Sequence, residues 1–281
     1  MTITDPRGGV ELTLNARGAG YAAIQQCLEL QSEVPPLGAV AHFFGATPLA
    51  QNARSWYLGA IGEIVVAEKL ERLGEGWHVI NAVPVGAAGS DIDHVVIGPT
   101  GVFTINTKAH ANKKVWAAGQ ALRINGFKQN YIRNSQHEAA RASKLLTSAV
   151  GRPIDVTPLI VMVGISELNL GVRRPTVEVV TSRGIVRNLR RRRRILTPDA
   201  VAEIADVAGR RGTWHRDAIV LDDTQRHVQR FERLRSEVDA ASRRRKAWVM
   251  LVELALVVGV VWVCANLLEV IVRALAGGMP H

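Results

Sequence analysis

Asp91-Ile92-Asp93-His94-Val95-Val96-Ile97, then Gly98-Pro99-Thr100-Gly101, then Val102-Phe103-Thr104-Ile105-Asn106-Thr107-Lys108 reads as strand, turn, strand. A four-residue loop pairs Ile97 with Val102. That register sets Asp93 opposite Asn106 and Asp91 opposite Lys108. Side chains alternate along a strand, so these four polar groups project from one face. The other face carries Ile92, Val96, Phe103 and Ile105 and reads as core. Carboxylate and amide oxygens are the donors a hard divalent cation takes. An ammonium beside them can steady negative charge as it develops on a reacting phosphate. His94 falls on the apolar face and reads as a packed histidine rather than a ligand. Glu63 lies upstream on an apolar helix beside Ile61, Ile64 and Val65, where a charge needs a partner.

The surrounding elements must hold that hairpin end in place. Trp56 to Leu73 carries apolar residues on one helical face and ends at Gly74 and Gly76. Trp77–Val85 is expected as a strand and Gly86–Ser90 as a small-residue loop. A second hairpin follows, Val115–Ala118 with Leu122–Asn125, and then a helix from Gln129 to Val150. Pro158–Gly164 is a continuous apolar run of the kind found in a buried central strand. Thr176–Thr181 is a further strand. Thr197-Pro198-Asp199 opens a helix that runs to about Ala208, with Thr as cap and Pro in the first turn. The alternation predicts an α/β fold, a mixed β-sheet flanked by helices, over residues 51–215. In residues 1–50, Val10–Leu14 suggests a short strand and Tyr21–Gln31 a helix before a loop rich in Pro and Gly. Gly18, Gly20 and Ala23 match a dinucleotide-loop spacing. No βαβ unit with an acidic strand end supports it, so a turn before a helix is the reading.

The 281 residues carry 35 Lys and Arg against 25 Asp and Glu, a net charge of +10. Two runs account for the excess: Arg187, Arg190, Arg191, Arg192, Arg193 and Arg194, and then Arg243–Lys246. A uniformly basic, histone-like coat is excluded. The first run suits phosphate, of nucleic acid or of anionic lipid, but has no aromatic residues interleaved for stacking on bases. Cys27 and Cys264 lie too far apart in sequence for a disulfide framework or a zinc finger. His110 and His137 show no zinc spacing. No basic segment followed by an apolar run opens the chain, so no secretory leader is expected.

Asp222 to Lys246 reads as a polar helix, after which composition changes abruptly. Ala247–Leu268 holds one charge, Glu253, and is long enough to span a bilayer. Arg243–Lys246 precedes it and Arg273 follows, which places the N-terminal domain in the cytoplasm and a short tail outside. Glu253 costs about 2.5–3.5 kcal/mol at a bilayer centre, but here lies within two turns of the basic run and can reach the interface. The expected organisation is an extension over 1–50, a domain over 51–215, a connecting helix over 216–246, a membrane span over 247–272 and a tail over 273–281.

Gly62-Glu63 on a helix, Asp91-Ile92-Asp93-His94, Gly98-Pro99-Thr100-Gly101-Val102-Phe103, Asn106-Thr107-Lys108 and Asn134-Ser135-Gln136 resemble, in order and spacing, the nuclease-related domain (NERD) family. That family belongs to the restriction-endonuclease-like PD-(D/E)xK superfamily. The resemblance covers about residues 54–165 and implies a Mg²⁺-dependent nuclease, with Mn²⁺ as substitute, acting on DNA or RNA, DNA first. It implies Asp93 as metal ligand, Lys108 as catalytic lysine, Glu63 as a further acidic ligand and Gln136 as a phosphate or lysine-aligning contact. Asp91 is a helper. The pattern places Asp or Glu two residues before the lysine, and this chain has Asn106 there. An amide oxygen can coordinate a cation but brings no charge. The alternative is a degenerate nuclease that binds nucleic acid, or acts as a scaffold, at the membrane without cutting.

Overall fold

The computed structural model describes residues 14, 17–85, 91–214 and 224–276. The predicted loop at 86–90 and all of the predicted strand at 10–14 except Leu14 lie outside these. Two compact units divide the chain: residues 1–30 with 52–229, and residues 31–51 with 230–281.

In the first unit, α1 (Tyr21–Ser32) precedes helix α3 (Arg54–Leu70), which ends in a 3-10 turn, Glu71–Leu73; α2 (Ala39–Phe43), between them in the chain, belongs to the second unit. Strands β1 (His78–Pro84), β2 (Asp91–Gly98), β3 (Gly101–Ala109), β7 (Val156–Val163) and β9 (Glu178–Thr181) form a five-stranded sheet in the order β1-β2-β3-β7-β9. β1, β2 and β3 are antiparallel, while β3, β7 and β9 run parallel. The fold is mixed α/β, as expected, but the second hairpin does not join this sheet. Strands β4 (Lys114–Ala118), β5 (Ala121–Ile124), β6 (Phe127–Gln129) and β8 (Glu167–Leu170) form a second, four-stranded sheet in the order β6-β5-β4-β8.

Both faces of the larger sheet are buried. On one, Phe103, Ile105, Leu159 and Val161 meet Val66 and Leu70 of α3 and Ile185 and Leu189 of α5 (Ile185–Arg190). On the other, Val95, Ile97 and Val102 meet Ala142 and Leu146 of α4 (Tyr131–Val150) and Ile204 and Ala208 of α6 (Pro198–Gly209). α4 buries Ile132, Ser135, Ala139, Ala142 and Leu146, one helical stripe, and stops at Gly151 with φ +80°. Thr197 Oγ1 accepts from Ala200 N at 3.3 Å, the predicted cap of α6. A four-residue helix, α7 (Arg211–Trp214), follows.

Part of the arginine run is helical. Ile185 and Leu189, four apart, are both fully buried and fix α5 against the sheet. Ile92 also departs from expectation. It clusters with Val83, Val95 and Ile97 rather than with Val96 and Phe103. The chain bends where Ala82, at φ +49°, lies opposite Asp93.

The second unit holds α8 (Thr224–Ala276) from residue 230 onward. Its apolar residues from Val249 to Leu268 are exposed, and the helix is long and apolar enough to cross a membrane. Asn266 returns its amide N–H to the Trp262 carbonyl at 2.7 Å, which satisfies a polar group within the helix itself. At the start of the apolar stretch the Trp248 indole donates to the Phe43 carbonyl at 3.1 Å, and its ring lies 5.2 Å from those of both Phe43 and Phe44. Both cysteines are free, as expected.

Candidate functional site

The β2–β3 register is the predicted one: Ile97 pairs with Val102 and His94 with Ile105. There the ladder stops. Instead of continuing the pairing, the Asp93 carboxylate accepts the Thr107 backbone N–H at 2.6 Å. The hairpin therefore splits at its polar end, and the expected pairings of Asp93 with Asn106 and Asp91 with Lys108 do not form. Asp91 pairs with Pro84 on β1 and takes an ion pair from Arg17 at 3.1 Å.

α3 brings Glu63 to this opening. A side chain on Gly62 would place its Cβ 2.9 Å from the Ala109 Cβ and 3.5 Å from Thr107 Cγ2, so glycine lets the helix lie directly on β3. Gly20, at φ +76°, closes against Ala60 in the same way, and its backbone N–H bonds Glu63. The Gly18–Ala23 spacing is thus a tight turn onto α3. Burial, with the neighbouring Asp93 and Asp91 charges, pushes the Glu63 carboxyl well above the usual range, while Lys108 opposes the shift. Burial likewise raises Asp93, against Lys108 and the Thr107 N–H. Burial raises Asp91 to about 6 despite Arg17. Three carboxyls thus share one desolvated neighbourhood with a single lysine, an arrangement that favours an added cation.

Asn106 is buried, and its Nδ2 donates to both oxygens of Glu138 on α4, each at 2.8 Å. Its Oδ1 is buried and finds no hydrogen-bond partner among the described residues. Glu138 is raised by burial and by Asp93, and lowered by Asn106 and Lys108. It supplies, from a helix, a carboxylate beside the strand position that lacks one. Sequence reasoning missed it, because the pair is 32 residues apart. On α4, Glu138 and Gln136 flank the buried stripe on opposite sides, and both are half-buried. The Gln136 amide donates to Thr176 Oγ1 at 3.3 Å, not to the Lys108 neighbourhood.

Lys108 Nζ lies 5.3 Å from the Tyr131 ring centroid, a cation–π contact that limits its swing. The Tyr131 hydroxyl lies 3.1 Å from His110 Nε2. His94 is the packed histidine expected. Its Nδ1 bonds Asn81 Oδ1 at 2.8 Å, so it carries its proton there, and burial lowers its pKa to about 3.

Among the described residues, no three His, Cys, Asp or Glu side chains gather as a metal-holding group. The oxygens that could be offered to a cation here are those of Asp93 and the orphaned Asn106 Oδ1.

A mixed α/β domain with acidic groups and a lysine at an opened hairpin defines the class. Residues 58–163 match the model of the NERD family, described as the nuclease-related domain. No curated protein matches the chain. Among solved structures it is similar to Pyrococcus furiosus SfsA in complex with Ca²⁺, at 17% identity over 54% of this chain and 53% of that one, with a TM-score of 0.21. So weak a superposition says nothing about shared chemistry.

Proposed function

We propose that the nuclease-related domain hydrolyses phosphodiester bonds of nucleic acid, DNA before RNA, with Mg²⁺ or Mn²⁺, and that α8 tethers it to the cytoplasmic face of a membrane. The observation that carries the hydrolytic reading is the meeting of Glu63, Asp93, Asn106, Lys108 and Glu138 where the hairpin splits. Asp93 and Asn106 Oδ1 would hold the cation, with Glu63 and Glu138 supplying charge beside it. The bound ion would lower the pKa of a coordinated water and neutralise charge on the phosphate. Lys108, steadied over Tyr131, orients the attacking water and stabilises the oxygens of the pentavalent transition state. Thr107 N–H fixes one Asp93 oxygen and leaves the other free for a ligand.

The tether rests on the exposed apolar stretch of α8. Arg243–Lys246 before it favours a cytoplasmic domain. The Phe43, Phe44 and Trp248 cluster suits the headgroup level, where aromatic residues concentrate.

The test is incubation of the full chain, in neutral detergent, with labelled linear and circular DNA and with RNA, plus Mg²⁺ or Mn²⁺. Lys108→Ala is expected to lose on the order of a thousandfold in rate with an unchanged melting temperature. Equal cleavage by both proteins, or none by either, defeats the enzyme. Absent cleavage with retained salt-sensitive binding supports the degenerate reading that Asn106 raises.

A further inference from the structure

The arginine run does not act as one patch. Arg190 donates to the Arg72 and Leu73 carbonyls at 2.7 and 2.8 Å and so braces the end of α3. Arg192 pairs with Glu178 and covers the Phe103 ring at 5.0 Å. These two guanidiniums hold the fold together.

Other basic side chains line a cavity of about 700 Å³ between α3 and α5, with Lys69 and Arg72 on one side and Ser182, Arg183, Arg187, Arg191 and the bracing Arg190 on the other. Arg187 lies within α5, with Arg183 just before the helix and Arg191 just after it. Lys69 of α3 and Arg72 of the 3-10 turn that follows it line the other side. Among the described residues, no carboxylate lines the cavity, and Val186 is the one apolar lining residue. Such a lining takes phosphate and offers nothing to a base or an acyl chain.

Sheet register ties the cavity to the candidate site. Lys108 pairs with Met162, Met162 pairs with Thr181, and the Ser182 N–H still bonds the Met162 carbonyl at 3.0 Å. Ser182 therefore opens the cavity at the same sheet edge as Lys108, two strands away, or roughly 10 Å. Along α3, Lys69 lies about 9 Å beyond Glu63.

We propose that this α3–α5 groove holds the phosphodiester backbone of the nucleic-acid strand on one side of the bond to be cut, without reading its sequence. The proposal rests on the hydrolytic reading for its location but not for its binding chemistry. It is tested by anisotropy of labelled duplex DNA with the full chain in neutral detergent, with EDTA present so that no cleavage occurs, between about 50 and 200 mM salt. The K69A/R183A/R187A/R191A variant is compared with an R123A/K128A/R133A/R141A control, which removes as many exposed cations from elsewhere in the unit. Circular dichroism checks folding of both.

The groove variant is expected to weaken binding more than tenfold. It should also shrink the slope of log affinity against log salt by about 3 to 4, since each lost phosphate contact contributes about 0.9. The control should change affinity less than twofold. Equal losses in both variants, or an unchanged slope in the groove variant, overturns the proposal. So does a loss confined to phosphatidylglycerol vesicles with DNA binding intact, which reassigns the groove to lipid. If the slope falls but the wild-type chain never cleaves DNA, the groove stands and the hydrolase fails. If the chain cleaves and the slope holds, the reverse follows.

Discussion

The two ends of the β2–β3 hairpin are built from one register and differ in everything else. At the closed end Gly98 pairs with Gly101, and Val96, Ile97, Val102 and Phe103 are almost completely buried. At the open end the ladder stops at His94, Asp93 takes a backbone N–H with its side chain, and carboxyls gather with their pKa values raised by burial. The closed end contributes apolar burial. The open end sets like charges together in a desolvated place, which costs stability and is the usual mark of a working site.

That contrast can be broken from either side. The largest effect on stability belongs to the closed end. Phe103→Ala removes a fully buried ring and should cost about 3–5 kcal/mol, measured as the loss in unfolding free energy. A cost under about 1 kcal/mol would mean that this end does not anchor the sheet.

The next effect separates placement from stability. Gly62→Ala forces α3 off β3 at the Ala109 contact and carries Glu63 with it. Cleavage should fall by about a hundredfold, because displacements near 1 Å have that effect on catalysis. The melting temperature should move by only a few degrees. An unchanged rate would remove Glu63 from the site.

The hairpin's register was legible in advance because Gly98-Pro99-Thr100-Gly101 is turn chemistry between strands of opposite pattern. Its early end was not. Nothing in the alternation of Asp91 to Ile97 announces that Asp93 would replace a ladder bond, since that depends on the bend opposite Ala82. Lys108, Asp93 and Glu63 were legible as chemistry through order and spacing. Glu138 was not, since it reaches Asn106 only once α4 docks, and the nearer motif residue, Gln136, lies away from that side of the helix. α5 was hidden by its arginines, although Ile185 and Leu189 already carried a helical spacing.

The smallest effect is on pH dependence and concerns the boundary between the two ends. His94 is neutral when folded, with a pKa near 3, against about 6.5 unfolded. Its contribution to stability is complete above pH 6.5 and is lost as pH falls from 6.5 toward 3. The loss is about 1.4 kcal/mol per pH unit. Melting temperatures of wild type and His94→Gln should therefore converge on acidification through that window. Parallel curves would mean that His94 is not held neutral.

The central claim is that the split hairpin grips a divalent cation, and Mn²⁺ titration followed by electron paramagnetic resonance reads it without catalysis. The full chain should bind one Mn²⁺ at this position. Asp93→Asn should lose that binding, and Asn106→Ala should weaken it, with the fold intact in both. Failure of the wild-type chain to take up Mn²⁺, or uptake indifferent to both substitutions, would contradict the account.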